Sequence, residues 1–284
     1  MAKILIVDPE TAVQDGLAAA FAACGWQTEL VSDAQEALAL LEIRTFDVIV
    51  ADPCAGDEAC ATRGDGCEWL RRVRALRPEA KVLVMTARHT PANVICALRE
   101  QAYSYFSKPC APRAVAEMVA SSLSAGAGEG DLEVISSLPN WLTLLVRCKP
   151  DTADRLVQFL REIKVDIPAE QRDDIASALR ELLLNAIEHG CSSDPAKCIR
   201  VSYIRTARAA VYHIQDPGPG FSFEHLEHTA LGNPNEDPVR HLEVRAGKGV
   251  RPGGFGILLT RHLVDELFYN EKGNEVLFVK YLRA

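Results

Sequence analysis

Within the segment ELLLNAIEHG, Glu181, Asn185 and His189 recur at intervals of four residues. A helix turns once in 3.6 residues, so each step of four drifts by about 40° and the carboxylate, amide and imidazole would share one strip. Beside it, Ile175, Leu179, Leu182, Leu183 and Ala186 form a stripe that must face a core. Leu184 and Ile187 fall outside that stripe, so the helix should be covered on more than one side. A buried amide or carboxylate without a partner costs on the order of 1–3 kcal/mol. The strip therefore needs a partner, either a hydrogen-bonded loop or a ligand. Gly190 is expected to end the helix as a left-handed cap.

A second set is spread over the first part of the chain. Asp8, Asp52, Thr86 and Lys108 each end or follow a different short apolar run. A carboxylate beside an ammonium and a hydroxyl, with a further acid to hold a magnesium ion, can accept a phosphoryl group. Metal and lysine neutralise the developing charge, and the hydroxyl then follows the acyl phosphate. Each residue alone reads as strand-end solvation; four at corresponding strand ends read as a site.

Two glycine-rich segments lie downstream of the polar strip. DPGPG at 216–220 follows the run AAVYHIQ. Its aspartate is suited to accept from an exocyclic amine, and its glycines let backbone approach a flat ligand, although Asp-Pro-Gly is also a common turn. RPGGFGILLT places Gly253, Gly254 and Gly256 at the start of an apolar helix, where unpaired N–H groups and the helix dipole favour an anion. Gly247-Lys248-Gly249 lacks the spacing of a Walker motif.

The elements that must position these residues fall into two blocks. Residues 3–124 alternate β-branched runs (KILIV, QTELV, FDVIVAD, KVLVMTA, YSYFSK) with helical patterns near 11–23, 34–43, 67–76, 91–100 and 112–124. Five strands alternating with five helices predict an α/β doubly wound parallel sheet with its site at the carboxyl ends of the strands. SSLSAGAGEGD, rich in Ser and Gly, predicts a flexible connector, giving a first domain over 1–124, a linker over 125–131 and a second domain over 132–284. The second block reads as a strand pair around Pro139-Asn140, helices near 151–163 and 168–189, the strand pair IRVSYIRT and AAVYHIQD, a polar stretch, a helix near 254–264 and the strand EVLFVKYL. That order predicts an α+β sandwich with helices on one face of a mixed sheet.

With 284 residues, 48% of them hydrophobic and 25% charged, the chain can build two ordinary cores. A net charge of -8 and the lack of a basic patch argue against nucleic acid. No apolar run approaches the roughly 18 residues that span a bilayer, and MAKILIVDPE does not read as a signal peptide, so a cytoplasmic location is expected. Nine irregularly spaced cysteines fit reduced thiols better than a disulfide framework. Cys54, Cys60 and Cys67 cluster in one loop, where a metal or redox role stays open although no CxxC pair or nearby histidine completes a zinc set.

Through ILIVD, FDVIVAD, VMTA and YFSKP, the first block resembles the receiver domain of bacterial response regulators, a flavodoxin-like fold. The resemblance implies Asp52 as phosphoacceptor, Thr86 as switch hydroxyl, Lys108 as phosphate-binding lysine, Tyr105 as the switch aromatic, Asp8 and Asp52 around Mg²⁺, and a cognate histidine kinase as partner. Two departures stand out. The usual adjacent acids after the first strand are here Asp8-Pro9, with Glu10 next, and the loop PCAGDEACATRGDG after Asp52 is longer than usual. Proline has no side-chain ligand for a metal. Phosphorylation of Asp52 and a pseudo-receiver used for docking are both compatible with this pattern.

The acid-amide helix, Asp-Gly turn and glycine-opened helix, in that order, resemble the GHKL (Bergerat) nucleotide-binding fold of histidine-kinase-like ATPases. The nearest branch is that of the anti-sigma-factor serine/threonine kinases. The resemblance implies ATP and Mg²⁺ as cofactors, with Asn185 holding Mg²⁺ and Glu181 as general base. Asp216 would accept from adenine, Gly218 and Gly220 shape the purine pocket, and Gly254 and Gly256 cradle phosphates. Lys248 and Arg251 would reach the γ-phosphate, and His189 would give support. Residues 221–250 would form a lid, in which His225 and His228 read as a solvated helix or a metal pair. About ten linker residues leave no room for a histidine-kinase dimerisation hairpin. The resemblance thus implies a protein serine/threonine kinase acting on an anti-sigma-factor antagonist of the STAS type, or a protein that sequesters a sigma factor, and a homodimer is compatible with both modules. A non-catalytic nucleotide-binding scaffold is the alternative.

Overall fold

A computed structural model describes residues 1–56, 65–88, 90–125, 130–138, 140–163, 167–221 and 256–282. The chain divides into two compact units, Met1–Gly130 with Gln158–Val165, and Asp131–Val157 with Asp166–Ala284.

In the first unit, five strands, β1 (Lys3–Val7), β2 (Gln27–Val31), β3 (Val48–Ala51), β4 (Lys81–Thr86) and β5 (Ser104–Ser107), form one sheet in the order β2-β1-β3-β4-β5. Every neighbouring pair is parallel. The helices α1 (Thr11–Ala23), α2 (Ala34–Ile43), α3 (Asp65–Leu76), α4 (Pro91–Arg99) and α5 (Pro112–Ser124) connect them. Because β1, β3 and β4 are covered on both faces, their side chains are buried almost without interruption, as a parallel sheet requires. On one face Ile4, Ile6, Val48, Val50, Leu83 and Met85 pack with Leu17 and Phe21 of α1 and Val115 and Val119 of α5. Strand order reverses between β2 and β3 on either side of β1, so a crevice opens at the carboxyl ends of β1 and β3, where Asp8 and Asp52 follow.

The second unit carries β6 (Leu132–Leu138), β7 (Trp141–Arg147), β8 (Cys198–Arg205), β9 (Ala209–Gln215), β10 (Glu266–Tyr269) and β11 (Glu275–Tyr281), ordered β10-β11-β9-β8-β7-β6. All five pairings are antiparallel, which corrects the expectation of a mixed sheet. The four-residue β10 shows no clean alternation and had gone unread in the sequence. Tyr212 is fully buried and stacks on Phe278 at a centroid separation of 4.6 Å.

Helix α6 (Pro150–Glu162) precedes α7 (Ala169–Asn185), and α8 (Gly256–Leu263) runs along α7. Ile175, Leu179, Leu182 and Leu183 of α7 are buried, and so are Leu184 and Ile187, as the broad apolar cover predicted. The helix ends in a single π turn, Ala186–Gly190, in which Cys191 N–H donates to the Ala186 carbonyl at 2.8 Å. Gly190 is therefore no left-handed cap; positive φ appears instead at Ser192 and Ser193. Lys280 of β11 ties the α7–α8 pair together, its ammonium donating to Asp174 Oδ2 at 2.9 Å and to the Leu263 carbonyl at 2.7 Å. None of the described helices is long and apolar enough to cross a membrane.

Among the described residues the expectation of reduced thiols is corrected at Cys54, which is disulfide-bonded, and at two pairs. Cys67 is bonded to Cys96 and Cys148 to Cys191, with Cα atoms 5.9 and 6.3 Å apart, while Cys24, Cys110 and Cys198 are unpaired. Irregular sequence spacing says nothing about which helix turns face each other. Cys60 lies outside the described residues.

Candidate functional site

Parallel strands deliver the first site as the sheet rule requires. Lys108 Nζ lies 2.7 Å from Asp8 Oδ2, 3.6 Å from Asp52 Oδ2 and 3.2 Å from Glu10 Oε1. Asp8, Asp52 and Thr86 are all buried. The loops after β1 and β3 add backbone donors: Glu10 N–H to Asp8 Oδ1 at 3.0 Å and Cys54 N–H to Asp52 Oδ1 at 3.1 Å. Burial raises the Asp52 carboxyl above the ordinary carboxylate range, and the Cys54 N–H, Lys108 and the Thr86 hydroxyl pull partly against it. For Lys108, burial alone would favour the neutral amine, but the hydrogen bond and charge of Asp8, with Asp52 behind it, raise its pKa on balance. Tyr105 is buried and lines the same pocket as Asp52 and Thr86. Asp8, Asp52, Thr86, Lys108 and Tyr105 thus come together.

Gln14 was missed in the sequence. Its buried amide donates to the Asp8 carbonyl at 2.7 Å and the Val31 carbonyl at 3.0 Å, pinning the ends of β1 and β2 from α1. A polar residue on the inner face of an amphipathic helix was the available signal. The donor set suits Mg²⁺, which takes one or two carboxylates and keeps several waters. Asp8 and Asp52 would supply the two, while Asp8, Asp52 and Glu10 all face Lys108 here.

In the second unit, the start of α8 lies against the polar strip of α7. A Cβ added at Gly256 would come within 2.7 Å of Glu181 Oε2 and 3.5 Å of Asn185 Nδ2. Glu181, Asn185 and the first turn of α8 therefore meet, which places a carboxylate and an amide beside a helix start. His189, in the π turn that follows, is exposed, whereas Glu181 and Asn185 are partly buried.

The Asp216 turn lies against Gly190 at the end of the π turn. Its carboxylate accepts from Gly218 N–H at 2.8 Å and packs on Gly190 so closely that any Cβ there would collide with it. This is why residue 190 is glycine. Burial raises the Asp216 carboxyl above the usual range, against the Gly218 N–H and the charge of Lys272. Gly220, at φ +80°, lies against the Lys272 carbonyl. Asn270 and Asn274, unread in the sequence, fix this hairpin. Asn270 Oδ1 accepts from Gly273 N–H at 2.8 Å and Asn274 N–H at 3.1 Å, and Asn274 pairs with the Asp216 backbone through bonds of 3.0 and 3.1 Å. Gly254, Lys248, Arg251, His225, His228 and the lid lie outside the described residues.

Residues 4–120 match the response regulator receiver domain family, and residues 146–280 match the histidine kinase-like ATPase domain family. The chain is a receiver domain followed by a histidine-kinase-like ATPase domain. The receiver is 32% identical over 109 residues to the response regulator MprA of Mycolicibacterium vanbaalenii, covering 38% of this chain and 45% of that protein. It is 31% identical over 133 residues to the transcriptional regulatory protein BasR of Escherichia coli, covering 47% and 57%. The chain thus spans about half the length of these relatives. The crystal structure of a CheY-like receiver domain protein from Methanospirillum hungatei is 29% identical, covering 43% of this chain and 94% of that one, with a TM-score of 0.40.

Proposed function

We propose that this receiver–ATPase chain is a cytoplasmic signal-transduction protein whose ATPase domain is a serine/threonine kinase. It would act on an anti-sigma-factor antagonist of the STAS type or sequester a sigma factor. Phosphorylation of Asp52 by a cognate histidine kinase would control it. The meeting of Glu181, Asn185 and Gly256 carries the reading, because it sets a carboxylate, an amide and a helix start around one point. Asn185 would hold Mg²⁺, Asp216 would accept from the adenine amine, and Gly218 and Gly220 would bound the base. Gly254 and Gly256 would receive phosphates, with Lys248 and Arg251 at the γ-phosphate. Bound MgATP supplies the γ-phosphoryl group. Glu181 orients or deprotonates the acceptor hydroxyl, so most of the catalysis is positioning and electrostatics.

The test is transfer of labelled γ-phosphate from ATP to purified STAS-type antagonists, with wild type and Glu181→Gln side by side. Transfer by wild type alone is expected. Tight MgATP binding with no transfer to any antagonist would sink the kinase reading.

A second reading, a nucleotide-binding scaffold with a pseudo-receiver, is favoured by one observation. Lys108 sits closer to Asp8 than to Asp52, and both Asp8 carboxylate oxygens are engaged. Incubation with a small phosphodonor and Mg²⁺ separates the two: a mass shift that disappears in Asp52→Asn supports the signalling receiver, and no shift in wild type supports the scaffold.

A further inference from the structure

One group of side chains near Asp52 has no part in phosphoryl chemistry. The pocket that contains Asp52 and Thr86 is also lined by Cys54, Cys67 and Cys96. The Cys67–Cys96 bond joins the first turn of α3 to the middle of α4. Each of these helices is attached to a different loop of the site. The start of α3 rests on the loop after Asp52, since a Cβ at Gly66 would sit 3.5 Å from Pro53 Cβ and 3.6 Å from Cys54 Sγ. Helix α4 is held to the loop after Thr86: Asn93 Nδ2 donates to the Arg88 carbonyl at 2.9 Å, and Arg88 N–H donates to Thr86 Oγ1 at 3.2 Å. The sulfur bridge therefore closes a ring that runs from Asp52 through both helices to Thr86.

Access separates this pair from Cys148–Cys191. Cys67 and Cys96 are only partly buried on a pocket wall, whereas Cys148 and Cys191 are fully enclosed. Thiol oxidation and disulfide exchange need an incoming reagent to reach sulfur, so of these two pairs the pocket pair is the more open to reversible chemistry.

We propose that Cys67 and Cys96 form a reversible thiol–disulfide site on the wall of the Asp52 pocket, oxidised by reagents of the peroxide class. Closing it fixes the two loops that a phosphodonor must pass between. In the oxidation, one thiolate attacks the peroxide O–O bond to give a sulfenic acid and hydroxide, which leaves as water. The second thiol displaces water from the sulfenic sulfur as the S–S bond forms. Two thiols lose two electrons and two protons, and hydrogen peroxide becomes two waters. A dithiol reductant reverses the change by exchange. The effect on phosphorylation rests on Asp52 being the phosphoacceptor; the redox site does not.

The full chain is reduced with a dithiol under argon, treated with hydrogen peroxide, and mapped by protease digestion without reductant. A linked Cys67–Cys96 peptide that forms with peroxide and disappears with dithiol is expected. Amide exchange over 52–56 and 86–88 should slow on oxidation, and labelling of Asp52 by a small phosphodonor should slow with it. Cys96→Ser and Cys67→Ser, used independently so that one misfolded variant does not decide the matter, should remove all of these peroxide responses. A pair that never links, one that dithiol cannot reopen, or an exchange response that persists in both serine variants overturns the proposal. If Asp52 takes no label in either redox state while the link and the exchange response behave as stated, the phosphoacceptor reading falls and the redox site stands.

Discussion

At the scale of single residues, the Asp216 carboxylate and the absence of a side chain at Gly190 are one feature. The carboxylate occupies the space a Cβ would fill, so Gly190→Ala must displace it. That variant should lose at least about tenfold in ATP affinity, equivalent to roughly 1.4 kcal/mol, measured by calorimetric titration. Asp216→Asn should lose a similar factor while keeping its circular dichroism spectrum; equal affinity would remove the adenine assignment. The raised Asp52 carboxyl has a consequence with a definite sign. Its nucleophilic form is the ionised one, so labelling by a phosphodonor should decline, as pH falls, at a pH above the ordinary carboxylate range. A pH–rate profile of labelling between pH 4 and 8, about the accessible window, checks this. Asp52, Asp216 and the Glu181/Asn185 pair were all legible in the sequence, because each combines a rare polar group with an apolar or glycine-rich setting. Gln14 left one signal, a polar residue on the inner face of an amphipathic helix, and Asn270 and Asn274 left none, because most of their partners are backbone carbonyls and N–H groups.

At the scale of elements, the placement of α8 on α7 decides whether Glu181 and Asn185 face a helix start. Lys280 holds that placement from β11 through Asp174 and the Leu263 carbonyl. Lys280→Met should cost about 2 kcal/mol of stability in urea denaturation, since it leaves a half-buried carboxylate and a carbonyl without their donor. It should also weaken ATP binding more than a surface Lys→Met control does. In the receiver, Gln14→Leu removes the side-chain donor to the Asp8 carbonyl and should cost on the order of 1–3 kcal/mol by the same assay. Most helices and strands matched their sequence periodicity to within a residue or two, because each has one buried face of the right period. The exceptions have physical causes. A four-residue edge strand is too short to show a period, and the π turn changes the step between residues without any sequence punctuation.

At the scale of the whole chain, two sheets with separate cores predict that a nucleotide protects one of them. At 100 times its Kd, MgATP should add about 2.7 kcal/mol to the unfolding free energy of the ATPase domain. Hydrogen exchange of peptides in β8, β9 and β11 should slow accordingly, while β1 and β3 of the receiver act as the internal comparison. Equal slowing in both sheets would contradict a nucleotide site confined to the second unit.

Sequence alone determined the division into two blocks, the parallel receiver sheet, and the residues at its strand ends. Hydrophobic periodicity and strand-end chemistry are local, and a parallel sheet necessarily gathers the carboxyl ends of its strands. Tertiary structure alone decided the matters that depend on two distant segments meeting. It turned Gly190 from a cap into the floor under Asp216, left His189 exposed, and made the second sheet wholly antiparallel. It also brought Cys67 and Cys96, 29 residues apart, across one wall of the Asp52 pocket. Contacts of that kind are set by how helices pack on a sheet, and side-chain order along the chain carries no record of it.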